Sequence, residues 1–254
     1  MPVKKLVKDD PYFIDNPKRV KAVQKEMAKQ GIDVYLGSRL RTMSWILDAF
    51  CPWRSFVVIP PTGLPTAVTF VIDAARVEDE SWLDQDHVLG YGPMGGQDQI
   101  AVLSMLIKPY LKGGKGVVGM ETGMGNYLPE GHLTLFEYLM LKAAMPKAHF
   151  QNAHDIIDGL SLIKDEGTIN RFREASRIVD VGHKAVYDAI KDGGYAKMTE
   201  TEVGGLAAYA MRKAGSEWEW SFTGGNEIAS GYRSGLAAGE IGRASCRERV
   251  SIDV

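Results

Sequence analysis

Cysteine is scarce in this chain. Cys51 and Cys246 are the only two among 254 residues, too few for a disulfide framework. No apolar run approaches the length of about 20 residues that spans a bilayer. Neither charge sign dominates: 30 basic residues face 32 acidic ones, for a net charge of −2. That balance leaves no electrostatic case for nucleic acid or an anionic membrane as partner. The start, Met-Pro-Val-Lys-Lys, is basic, but acidic residues follow before any apolar core, unlike a signal peptide. A cytoplasmic location is therefore expected. The five histidines, His87, His132, His149, His154 and His183, form no pair at metal-ligand spacing. His-Glu-x-x-His and Gly-x-Ser-x-Gly are both missing.

What is present is an alternation of helical and strand-like stretches. Asn16-Pro-Lys-Arg-Val opens a helix to about Gln30, with Val20, Val23 and Met27 on one face and Gly31 as its stop. A short strand at 32–36 and a helix near 42–48 follow. Ser55–Pro60 and Thr66–Ile72 are apolar, β-branched runs separated by the turn cluster Pro60-Pro61-Thr-Gly63, so they are expected to pair as a hairpin. An acidic loop over 77–86 leads to a strand at 87–91. A helix at 98–111, a strand at 117–121 and a helix at 133–144 complete the first segment. This order predicts an α/β layer domain over residues 1–160.

From Leu160 to Val186 the character changes. Ile169, Phe172, Val179, Val186 and Ile190 fall at three-and-four spacing, with Asp165 and Glu166 in the first turn. One long amphipathic helix is expected. Thr199 and Glu202 then form a capping-box signature, and that helix should end near Gly215. Glu217-Trp-Glu-Trp-Ser-Phe alternates as a strand, and a turn at Gly224-Gly225 leads to a second strand.

Local chemistry is sparse. Gly90, Gly92 and Gly95 match G-x-G-x-x-G, but Pro93 removes an amide from the loop and Glu121 is the only acidic residue near the ribose position. A connecting loop is the better reading. Cys51 shows no basic setting that would make it a nucleophile, and His183 reads as a packed or half-exposed helix residue. Arg54 stands at a loop-to-strand boundary after Cys51-Pro-Trp53, where a guanidinium can grip a carboxylate bidentately or simply be solvated.

Three stretches carry a resemblance: Arg19–Leu36, Leu162–Asp180, and Thr199–Val203 with Ile228-Ala-Ser-Gly231. They are similar to the creatinase/prolidase family, two-domain pita-bread metallohydrolases that include Xaa-Pro aminopeptidases. The resemblance implies an α/β N-terminal creatinase-like domain at 1–160 followed by the first part of an α+β pita-bread domain at 161–239. It implies a peptide or small-molecule substrate, a homodimer, and two divalent ions (Mn, Co or Zn) in the full-length parent. The family's five metal ligands lie downstream of the Ile228–Gly231 strand, so no catalytic or metal-binding residue is assigned within this chain. The expectation is a catalytically inactive fragment of a metal-dependent hydrolase, of Xaa-Pro aminopeptidase or dipeptidase type; the alternative is a non-peptidase relative or a non-catalytic binding member of the same fold.

One departure points elsewhere in the family. No histidine follows Gly231, and Arg233 stands where peptidases often carry Asn. Relatives acting on creatine, ectoine or dimethylsulfoniopropionate have arginine there. Arg233 and Arg54 are therefore the substrate-binding candidates that the resemblance implies. Residues 240–254 lack any apolar period, and Glu240–Val250 reads as the in-frame translation of a sequencing adapter. The natural sequence is expected to continue past Gly239. On that expectation the first domain folds alone, while the second segment has half its sheet and frays.

Overall fold

A computed structural model describes residues 6–93, 98–123, 131–191, 198–216 and 228. The chain divides into two compact units, Met1–Asp165 and Glu166–Val254. The first unit is built on a six-stranded mixed sheet: β1 (Val34–Gly37), β2 (Phe56–Ile59), β3 (Thr66–Phe70), β4 (Val88–Tyr91), β5 (Val117–Met120) and β6 (His149–Asn152). Their order across the sheet is β4-β3-β2-β1-β5-β6. β2 runs antiparallel to both β1 and β3, so the expected hairpin is present, with Phe56 opposite Val68. The pairs β3–β4, β1–β5 and β5–β6 are parallel.

Alternation along the strands sends side chains to two cores. On one face Tyr35, Val57, Ile59 and Ala67 meet α1 (Asn16–Gln30), α2 (Leu40–Leu47), α3 (Ala74–Glu80) and α6 (His154–Leu162). On the other, Val34, Leu36, Phe56 and Val58 meet α4 (Gln99–Ile107) and α5 (Leu135–Ala144). The first helix forms as its sequence predicts. Asp15 caps it through the Lys18 amide, Pro17 lies in the first turn, and Gly31 closes it in the left-handed region at φ 67°. Val20, Val23 and Met27 are its buried stripe. α5 starts at a capping box between Thr134 and Glu137.

Three expectations change. The acidic stretch near 77–86 is helical in its first half, because Val77 anchors α3 in the core and Arg76 and Glu80 bond to the Phe50 backbone, leaving Glu78 exposed. Residues 149–152 form an edge strand, and α6 follows where no helix was expected. The long helix begins later than Leu160. Leu160–Leu162 belong to α6, residues 163–165 are not helical, and α7 spans Glu166–Ile190. Asp165 ends the first unit by binding Arg19, whose Nη2 and Nε reach its carboxylate at 2.6 and 3.1 Å.

Within the second unit α7 packs against α8 (Glu200–Lys213), which starts at the expected Thr199–Glu202 capping box. The helices meet at Gly182, where a Cβ would stand 2.8 Å from Met211 Cγ. Phe172, Val179 and Tyr187 remain exposed on α7. The expected strand at 217–222, all of that at 226–235 except Ile228, Arg233 and the 240–254 tail lie outside the described residues.

Two outcomes test this architecture. Leu36→Ala, in the central strand and fully buried, should lower unfolding free energy by about 2–5 kcal/mol in urea titrations. Ile72→Ala, at an exposed position, should stay within about 0.5 kcal/mol; equal effects would contradict the layering. Limited trypsinolysis should cut first at Lys164, in the exposed non-helical joint beside Ile163. Earlier cleavage at Lys142, inside α5, would overturn that assignment.

Candidate functional site

In open α/β sheets ligands bind beyond the carboxyl ends of parallel strands, where successive connections leave for opposite faces. β1 and β5 meet this condition. The chain leaving β1 enters α2 in the first core, and the chain leaving β5 enters α5 against the second. Arg54 stands at the same end of the sheet, because it immediately precedes β2, which runs antiparallel to β1.

Glu121, one residue past β5, is fully buried there. Its carboxylate accepts from the backbone amides of Ser38 (2.6 Å) and Arg39 (2.8 Å) at the start of α2. Tyr35 Oη donates at 2.9 Å, Arg39 Nε at 3.1 Å, and the Thr42 hydroxyl closes the set. A helix N-terminus favours a negative charge through its unpaired amides. Burial, and then the adjacent Glu121 charge, push the Tyr35 phenol well above its ordinary value, which keeps it a proton donor. Arg39 continues to Asp158 (3.1 Å) and to the His154 carbonyl (3.1 Å) on α6. Desolvation works against ionising Asp158, but Arg39, with help from Arg41 and His154, holds it below the usual carboxylate range.

Arg54 makes a second closed set. Its Nε and Nη2 grip Glu137 bidentately at 2.8 and 2.6 Å. Nη1 donates to the carbonyls of Ser38 (3.1 Å) and Gly131 (2.6 Å), and Nη2 to that of His132 (3.4 Å). All five N–H groups thus have protein acceptors, and the guanidinium lies 4.5 Å over the Phe56 ring. Gly131 fits only as glycine: its φ is 79° and a Cβ would stand 2.8 Å from the Ser38 carbonyl oxygen. Desolvation opposes the Glu137 charge, yet Arg54, the Thr134 amide and Gln99 outweigh it and lower its pKa.

The other sequence candidates are dispersed. Cys51 is buried, and desolvation raises its thiol to about 12, so it is no nucleophile at neutral pH. His183 is exposed on α7. Gly90 pairs with Thr69 in β4, and Gly95 lies outside the described residues. No group of three or more His, Cys, Asp or Glu able to hold a metal occurs among the described residues. The carboxylates at the sheet end do not fit such an ion, since Glu121 and Glu137 already hold arginines. Sequence reasoning singled out Arg54 but missed its acceptors, and it took Glu121 for the end of an ordinary strand. The signal available was a carboxylate closing the buried run Val-Val-Gly-Met-Glu.

Two measurements check these assignments. Arg39→Ala strands the buried Glu121 charge and should cost about 3–5 kcal/mol, whereas the exposed Arg41→Ala should cost at most about 1 kcal/mol; a ranking reversed in urea titrations would refute the hub. Glu137 has a depressed native pKa, so its stabilisation is complete above the unfolded value of about 4.3. It is lost as pH falls from there through the lower native value. The stability gap between wild type and Glu137→Gln should therefore shrink with acidification below about pH 4.3. A gap constant from pH 7 to 3 would contradict the pairing.

Comparison with known proteins follows the fold. No protein-family model matches the chain. An ectoine hydrolase of Halomonas elongata is 28% identical over 183 residues, covering 69% of this chain and 44% of that protein. The prolidase of Pyrococcus horikoshii superposes with a TM-score of 0.67 at 21% identity, over 90% of this chain and 57% of the prolidase. That of Pyrococcus furiosus gives 0.65 at 19% identity, over 89% and 61%. The chain thus spans from under half to about three-fifths of the length of these relatives. It carries the creatinase/prolidase fold, with the N-terminal α/β domain and part of the pita-bread domain.

Proposed function

We propose that this chain supplies the N-terminal domain and the opening helices of a metal-dependent hydrolase that cleaves a C–N bond, with Xaa-Pro peptides as the first substrate class. The supporting observation is the superposition on the Pyrococcus horikoshii prolidase, which runs over 90% of the chain. A paired divalent-ion centre of Mn, Co or Zn would activate water and polarise a carbonyl. In this reading its ligands come from beyond the first unit, which acts as a scaffold. A homodimer and a cytoplasmic setting belong to the same proposal.

A second reading is hydrolysis of a small non-peptide substrate. The 28% identity to an ectoine hydrolase supports it, as does Arg233 at the position discussed above. Arg233 and Arg54 remain the proposed substrate contacts. For Arg54 the geometry sets a condition: a substrate carboxylate has to displace the Gly131 or His132 carbonyl while the Glu137 pair holds.

The test is expression from the native locus together with whatever coding sequence follows, assayed with Mn, Co or Zn. The panel is Xaa-Pro dipeptides, longer Xaa-Pro peptides, ectoine, creatine and dimethylsulfoniopropionate. Metal-dependent Xaa-Pro cleavage supports the first reading, and turnover of ectoine alone the second. No turnover of any of them sinks both. The 254-residue chain by itself is expected to be inactive in the same assay.

A further inference from the structure

The break between α6 and α7 has no local cause. From Leu160 to Glu166 the chain carries neither glycine nor proline, the residues that ordinarily end a helix. Ile163 nevertheless turns to the extended region, at φ −90° and ψ 115°. The turn leaves Leu162 and Ile163 exposed by 73 and 86%. Lys164 donates to the Ser161 and Leu162 carbonyls at the open end of α6. Asp165 reaches instead to α1, where its Oδ2 accepts from both Nε and Nη2 of the buried Arg19. Arg19 also donates to the Trp45 carbonyl at 3.0 Å and lies 5.0 Å over the Trp45 ring.

Continuing α6 without a break would move two side chains in opposite senses. A helix turns about 100° per residue, so positions 156, 160, 163 and 167 share one face. Ile156 is buried in the first core and Leu160 packs against it, and Ile163 would join their stripe. Asp165, nine positions after Ile156, would come to lie about 180° away from it. That face is turned from α1, which packs against α6 in the same core. The two arrangements therefore exclude each other. One pairs Asp165 with Arg19 and exposes Ile163; the other covers Ile163 and releases Arg19 from Asp165.

We propose that residues 163–165 are a two-state joint, with the Arg19–Asp165 pair as its catch. Latched, α6 and α7 are separate helices. Released, they run on as one helix from His154 to Ile190. An ion pair on α1 thus controls the first turn of the second unit, and a group that competes for either partner shifts the balance.

Hydrogen exchange of the 254-residue chain, read by mass spectrometry across residues 161–168, tests the joint. Arg19→Met removes the catch without altering the joint's own sequence, and Asp165→Asn removes its charge from the other side. In both, the amides of residues 163–166 should exchange about tenfold more slowly than in wild type, because they gain helical hydrogen bonds. The amides of β5 should keep their protection, which shows that the first unit is intact. Loss of an ordinary ion pair acts in the reverse direction, loosening the joint and speeding exchange. Faster or unchanged exchange at 163–166, in either variant that keeps β5 protected, overturns the two-state joint. If Arg19→Met loses that protection, Asp165→Asn, a change at a half-exposed side chain, decides alone.

Discussion

A carboxylate with no exposure, Glu121, sits at the junction on which the first unit depends. Removing such a charge from water costs several kcal/mol, so the fold exists only where its lone pairs are answered. Here the answer comes from one short stretch, Tyr35 to Thr42, which supplies a phenol, two amides, a guanidinium and a hydroxyl. The consequence is geometric. β5 can end only where α2 begins, which fixes the β1–β5 parallel register and aims α2 across the first core. Arg39 carries the constraint on to α6 through Asp158. Three elements far apart in sequence are thereby locked at one end of the sheet.

Arg54 repeats the logic with the charges exchanged. Its guanidinium ties the entry to β2, the end of β1 and the start of α5 into one joint. The carboxylate it uses is the same Glu137 that completes the capping box of α5. One side chain thus both starts the helix and docks it. Arg19 with Asp165, and Arg76 with Asp73 and Glu80, extend the pattern to the end of the unit and to α3.

Local chemistry made the capped helices legible in the sequence. Pro17 and Gly31 bound α1, and Thr-x-x-Glu opens α8, because each signal acts within four residues of its effect. β6 was hidden for the opposite reason. As a half-exposed edge strand, His-Phe-Gln-Asn needs little apolar content and is held by pairing with β5. α6 begins at Ala153 without a side-chain cap and is kept in place by Ile156 and Ile157 in the core. The charge pairs are less readable still. Arg54 and Glu137 are separated by 83 positions, and no spacing rule connects them before the sheet is assembled. An arginine at a strand entry looks the same whether it waits for a ligand or already holds a carboxylate.

That distinction bears on what the first unit can contribute to catalysis. Its partly or fully buried arginines each hold an acid of the same unit, and the carboxylates nearest the sheet end are occupied in return. A ligand arriving there competes with intramolecular partners that carry no translational entropy cost, and bidentate Arg–carboxylate pairs are the strongest of these. The weakest hold on Arg54 is the 3.4 Å contact to the His132 carbonyl. Exchange at that one position leaves the Glu137 fork, and with it the docking of α5, intact. A substrate contact through Arg54 is therefore compatible with the fold only if the substrate approaches from the side of residues 131–132. The fold itself is shared with prolidases at about one-fifth identity, and fold alone does not fix function. The direction of approach to that arginine is a constraint that the layered sheet imposes on any chemistry assembled beyond it.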